Sequence, residues 1–151
     1  MNNRLLPIAI FAALMLAGCQ ETASDTAKDV AEAREEAATD NEAARDNANA
    51  TVADANEEVS DAQEAYDEDD ADARKTLTAA ESEAMTKTAK ANYDADMVEL
   101  DGLYKIAKEK CGSLAGVEKD ACLSSAKAEY EANQASVVAN RDAALVSAEL
   151  H

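Results

Sequence analysis

The stretch Tyr93-Asp94-Ala95-Asp96-Met97-Val98-Glu99-Leu100-Asp101-Gly102-Leu103-Tyr104-Lys105-Ile106-Ala107-Lys108-Glu109-Lys110-Cys111-Gly112 decides the fold of this chain. Apolar residues recur at Tyr93, Met97, Leu100, Tyr104, Ala107 and Cys111, in steps of four and three. That spacing keeps them on one stripe of a helix, as in a coiled-coil seam, and Leu103 and Ile106 widen it. Gly112 follows the last seam residue, where a left-handed residue would end the helix. Ser113-Leu114-Ala115-Gly116 then turns the chain. Glu118 and Asp120 come where the first turn of a second helix favours negative charge. The stripe of that helix is Leu123, Ala126, Tyr130, Val137, Ala144 and Ala148, interrupted by Asn133 and Asn140. Two facing apolar stripes joined by a short turn predict an antiparallel helical hairpin over residues 81–151.

Working outward, the upstream chain is of a different kind. About a quarter of all residues are alanine, and no proline follows Pro7. Beyond residue 19 the glycines are Gly102, Gly112 and Gly116. Alanine is the best helix former, and Gly and Pro are the main breakers, so the fold class is all-α. Residues 21–70 carry 18 acidic and three basic side chains, and residues 71–151 carry 14 and 10. Between 21 and 80 the large apolar residues are Val30, Val52, Val59, Tyr66 and Leu77. Small residues still recur at helical spacing, at Ala48, Val52, Ala55, Val59, Ala62, Tyr66, Ala73, Leu77, Ala80 and Ala84. Residues 19–80 therefore read as an acidic, alanine-rich helical arm. It is expected as one long helix or as broken helices, partly disordered before it meets a partner. Two places invite a bend or fraying. Asp46-Asn47-Ala48-Asn49-Ala50-Thr51 holds poor helix formers, and Asp67-Glu68-Asp69-Asp70 with Asp72 is a cluster of like charge. Alanine buries little area, so the molecule is expected to be elongated, without a large globular core. The formal net charge of −18 argues against nucleic acid, whose phosphates need Lys and Arg. It argues equally against lying flat on anionic lipid.

The first residues have the layout of an export signal. Arg4 and the amino terminus are positive, Leu5 to Leu16 is an uncharged apolar run, and Ala17 and Gly18 are small. The run is shorter than the roughly 20 residues that a membrane-spanning helix needs. Leu16-Ala17-Gly18-Cys19 resembles the lipobox of bacterial lipoproteins at all four positions. The resemblance implies a signal at 1–18, cleavage between Gly18 and Cys19, and a diacylglycerol on the Cys19 thiol with acylation of the freed amine. Two or more acyl chains anchor stably where one binds only marginally. Gln20 follows Cys19, and in that family the absence of Asp there is associated with sorting to the outer membrane, facing the periplasm. The small murein-type lipoproteins are similar only in general character. The last residue here is His151 rather than their lysine, so no covalent bond to the cell wall is expected.

Lipid on Cys19 leaves Cys111 and Cys122 as an even pair, and export places them where disulfides persist. A structural disulfide between them is the expectation. Pairing them sets the hairpin register, with Tyr130 facing Leu103 and Tyr104, Val137 near Met97, and Leu145 near Ala89. The segment from Tyr104 through Cys111-Gly112, Leu114, Gly116, Lys119-Asp120 and Cys122 to Ala126-Lys127-Ala128 resembles a cysteine-hairpin cassette of uncharacterised exported proteins of Gram-negative bacteria. No activity comes with that resemblance.

Signals for chemistry are sparse. A redox pair usually has its cysteines two apart, and a zinc site needs ligands that this pair lacks. Asp67, Asp69, Asp70 and Asp72 lack the glycine and the distal bidentate Glu of a calcium loop. Tyr66, Tyr93, Tyr104 and Tyr130 could line a ligand groove, but helical spacing makes the last three seam residues first. His151, the lone histidine, ends the chain and is no catalytic base. No metal, cofactor or catalytic residue is expected, and no enzyme. The expected role is a structural or interaction one in the cell envelope: a spacer or adaptor held to the membrane by lipid on Cys19. Its partner would be another envelope protein, peptidoglycan or, through the seam, a second copy. The alternative is a membrane-tethered holdase or envelope stress protein.

Overall fold

The computed structural model describes residues 22–66 and 71–150. Within them the chain forms three long helices: α1 (Ala23–Tyr66), α2 (Ala71–Lys110) and α3 (Gly116–Glu149). A single 3₁₀ turn, Cys111–Ser113, ends α2. The all-α class and the hairpin are as the sequence predicts. The helix boundaries are not. Residues 71–80, read as part of the arm, are the first turns of α2, and α1 lies along α2 rather than apart from it. Asp67 to Asp70 lie outside the described residues.

Thr22 and Asp25 start α1. The Thr22 hydroxyl accepts from the Asp25 amide at 3.2 Å, and the Asp25 carboxylate accepts from the Thr22 amide at 3.3 Å and from its hydroxyl at 2.7 Å. This reciprocal capping box satisfies amides that the first turn leaves without a helical partner. The helix then runs unbroken through the segment 46–51. There Thr51 turns its hydroxyl back onto the Asn47 carbonyl at 3.0 Å, and the helical path keeps Ala48 buried against α2. Burial on one stripe overrides weak local propensity here.

The buried stripe of α1 is Thr26, Val30, Ala33, Ala48, Ala55 and Ala62, and opposite it α2 offers Ala84, Ala95 and Gly102. A Cβ built on Gly102 would stand 2.7 Å from the Ala37 Cβ, so small residues on both sides let the two helices come close. Exposed ion pairs fix the register. Lys87 reaches Glu58 at 2.5 Å, Arg45 reaches Glu99 at 2.5 Å, and Lys105 pairs with Glu36. Arg74 stacks over Tyr66, 5.5 Å from the ring centre, where α1 ends and α2 begins.

The other side of α2 packs on α3 in the register that the cysteine pair sets. Cys111 and Cys122 are joined, with Cα atoms 5.8 Å apart. Tyr104 and Tyr130 meet with ring centres 4.7 Å apart, Arg141 covers Tyr93 at 4.5 Å, and the Ser82 hydroxyl donates to the Ala148 carbonyl at 2.7 Å. That last bond occupies one of the carbonyls left open in the final turn of α3. Leu100 and Cys111 are buried as seam residues. Leu103 is not: it is 56% exposed, because it lies between the two packed sides of α2. Gly112 is not the left-handed cap either. The 3₁₀ turn carries it, closed by the Leu114 amide on the Cys111 carbonyl at 3.1 Å, and the positive φ of 53° falls on Gly116, which opens α3.

No α1 Cα lies within 8 Å of an α3 Cα among the described residues. The molecule is one antiparallel layer with α2 in the middle. At 1.5 Å per residue α1 alone spans about 65 Å.

Candidate functional site

The disulfide-closed end brings together Cys111, Cys122, Tyr104 and Tyr130. Cys111 is 1% exposed, and Cys122 is half-buried in the second turn of α3. The start of α1 packs against the same turn, because antiparallel docking on α2 returns residues near 26 to the level of residue 114. Leu114 and Ala115 are extended, at φ −90°, ψ 162° and φ −134°, ψ 156°. They present a short apolar loop whose next residue but one, Val117, is 84% exposed.

Along the middle of the molecule the alanine seam leaves a groove of about 540 Å³ between α1 and α2. Ala44, Ala91, Ala95, Val98 and Gly102 floor it, and Glu36, Asp40, Asp94 and Asp101 rim it. A second, shallower groove lies over α2 between α1 and α3. It holds Leu103 and Val137 beside Arg45 and Glu99. There the Arg45 guanidinium donates to Glu99 at 2.5 Å and to Asp96 at 3.3 Å. This pairing, helped by Asn41, holds the Glu99 carboxyl below its usual range, and Glu99 in turn raises Arg45.

Tyr93, Tyr104 and Tyr130 are seam residues between α2 and α3. Tyr130 donates to the Asp101 carboxylate at 2.7 Å, which raises its phenol above the ordinary value. Lys108 lies 4.8 Å from the Tyr104 ring centre. Tyr66 stands at the other end of the molecule, so the four tyrosines do not line one groove. The residues expected to carry the anchor, Gly18 and Cys19, lie outside the described residues, as do Asp67, Asp69, Asp70 and His151. Asp72 is exposed in the first turn of α2. Among the described residues no group of three His, Cys, Asp or Glu side chains could hold a metal ion, and no helix is long and apolar enough to cross a membrane. The Thr22–Asp25 capping box and the close approach at Gly102 were not part of the sequence reading. Each has a signal: a Thr-x-x-Asp spacing before an unbroken helical run, and one glycine inside an otherwise glycine-free helix. No family model, curated protein or solved structure matches this chain.

Proposed function

We propose that this chain is a bacterial envelope lipoprotein, anchored by lipid on Cys19 at the periplasmic face of the outer membrane, with a structural or interaction role. It would be a rigid helical spacer or adaptor that meets an envelope protein, peptidoglycan or a second copy. The observation that carries the reading is the position of α1. Its first residue, Ala23, follows Cys19 by four residues, so a lipid there would hold the start of the rod close to the bilayer. The acidic surface supports a rod that stands off anionic lipid rather than one lying on it. Mass analysis of the mature protein should find it beginning at an acylated Cys19. Cys19→Ser should leave the precursor unprocessed or release the chain from the membrane. A mature chain that starts elsewhere and carries no lipid would remove the anchor. Crosslinking in intact envelopes should then yield one stoichiometric partner. The exposure of Leu103 in the open groove over α2 favours the second reading, a tethered holdase. Suppression of aggregation of several unrelated proteins would select it over the spacer.

A further inference from the structure

We infer that the turn Leu114-Ala115-Gly116-Val117 is a membrane-contacting tip that seats the end of the rod on the surface of the bilayer. The inference rests on the lipid-anchor reading for its biological setting, but the residues that carry it are other ones. Val117 is the most exposed large apolar residue among those described, at 84%. It stands in the first turn of α3, and at that exposure packing gives it no reason to be apolar. Ala115 and Gly116 beside it are exposed too, and Leu114 is half-buried.

The place of this loop in the fold names its occupant. The start of α1 packs against the 3₁₀ turn at this same end, so residues 1–21, the part of the chain that precedes the described structure, join the rod here. A tether at Cys19 therefore holds Val117 close to whatever Cys19 is held in. Charge agrees with the location. The chain as a whole is at −18, yet Cys111 to Val117 is uncharged, and the segments that meet at this end, Thr22 to Glu36 and Tyr104 to Glu129, carry seven basic side chains against nine acidic. This end meets less repulsion from lipid headgroups than the acidic flanks would. The Cys111–Cys122 bridge holds the loop at the base of two packed helices, so the apolar side chain is presented rather than folded back. Partial insertion of such a tip would fix the angle at which the rod leaves the surface, which a flexible acyl tether alone does not do.

The chain contains no tryptophan, so V117W places a single indole at the tip. The mature chain from Cys19, made without lipid, can be coupled to maleimide headgroups in phosphatidylcholine vesicles, because the closed bridge leaves Cys19 as its free thiol. On coupling, V117W emission should shift to the blue and be quenched by brominated acyl chains. V146W, about 40 Å further along α3 at 1.5 Å per residue, should do neither. Emission of V117W unchanged on coupling, or V117W and V146W quenched alike, overturns the tip: the first means no contact, the second a rod lying flat. The coupled chain does not depend on lipidation in the cell. A failure here is therefore distinct from a failure to find acylated Cys19 by mass.

Discussion

At the scale of single residues, Gly102 is a point of close approach between α1 and α2. In an ordinary helix interior Gly→Ala would gain about 1 kcal/mol from backbone propensity. Here the new Cβ meets the Ala37 Cβ at 2.7 Å, and overpacking of that kind costs about 1–3 kcal/mol. G102A should therefore be the less stable protein in urea denaturation, and A37G should recover part of the loss when combined with it. A G102A chain more stable than the parent would show that the helices part freely at this point. Glu99 gives a second test. Its pKa in the folded chain is depressed by Arg45 and Asn41, so the unfolded chain takes up the proton more readily. The stabilisation is complete above the unfolded value, about 4.3, and is lost as pH falls through the lower folded value. E99Q should melt slightly below the parent at pH 7, and that gap should close on acidification below about pH 4. A gap that persists at low pH would assign Glu99 a packing role instead. Sequence reading placed Leu100 and Cys111 correctly in the seam but misplaced Leu103. A period of 3.6 marks a stripe without saying how wide the partner covers it.

At the scale of elements, the α2–α3 hairpin was legible because its signals agree: large apolar steps, a turn, acidic residues at a helix start and two cysteines. The α1–α2 pairing was not. Its stripe is built from alanine, which matches any other alanine stripe equally well, so the sequence shows a seam without a partner. Its proximity to the 3₁₀ turn, and with it the candidate tip, could not be read before that pairing was known. The resemblance to a lipobox is the reverse case, carried by four residues that the described structure does not include. The disulfide spans 11 positions. In the chain-entropy account a closed loop of this size contributes roughly 3 kcal/mol. Reduction should lower the urea midpoint of the mature chain accordingly, read by circular dichroism. It should also loosen the Tyr104–Tyr130 contact beside the bridge before the far ends of the helices. An unchanged midpoint would mean that α2 and α3 hold their turn closed without the bond.

At the scale of the whole molecule, the described residues set 27 acidic side chains against 13 basic ones on a layer one helix thick, where nearly every charge is close to solvent. Two electrostatic effects oppose each other. The pairs Glu36–Lys105, Arg45–Glu99 and Glu58–Lys87 tie α1 to α2, and salt weakens them. Each such exposed pair stabilises the fold only weakly. The surplus of negative charge acts along the whole rod and pushes α1 away from its neighbour, and salt weakens that as well. Raising ionic strength from about 10 mM to about 150 mM shortens the screening length from about 30 Å to about 8 Å. The pairs are in direct contact, well inside even the shorter distance, whereas most of the repulsion acts beyond it. Repulsion should therefore be screened more than attraction, and Tm should rise with sodium chloride over this range. Chloride is the appropriate salt, because sulfate also strengthens apolar burial. A Tm that falls over the same range would mean that the cross-helix pairs outweigh the net charge, and α1 would then be held to α2 by its charges rather than by its alanine seam.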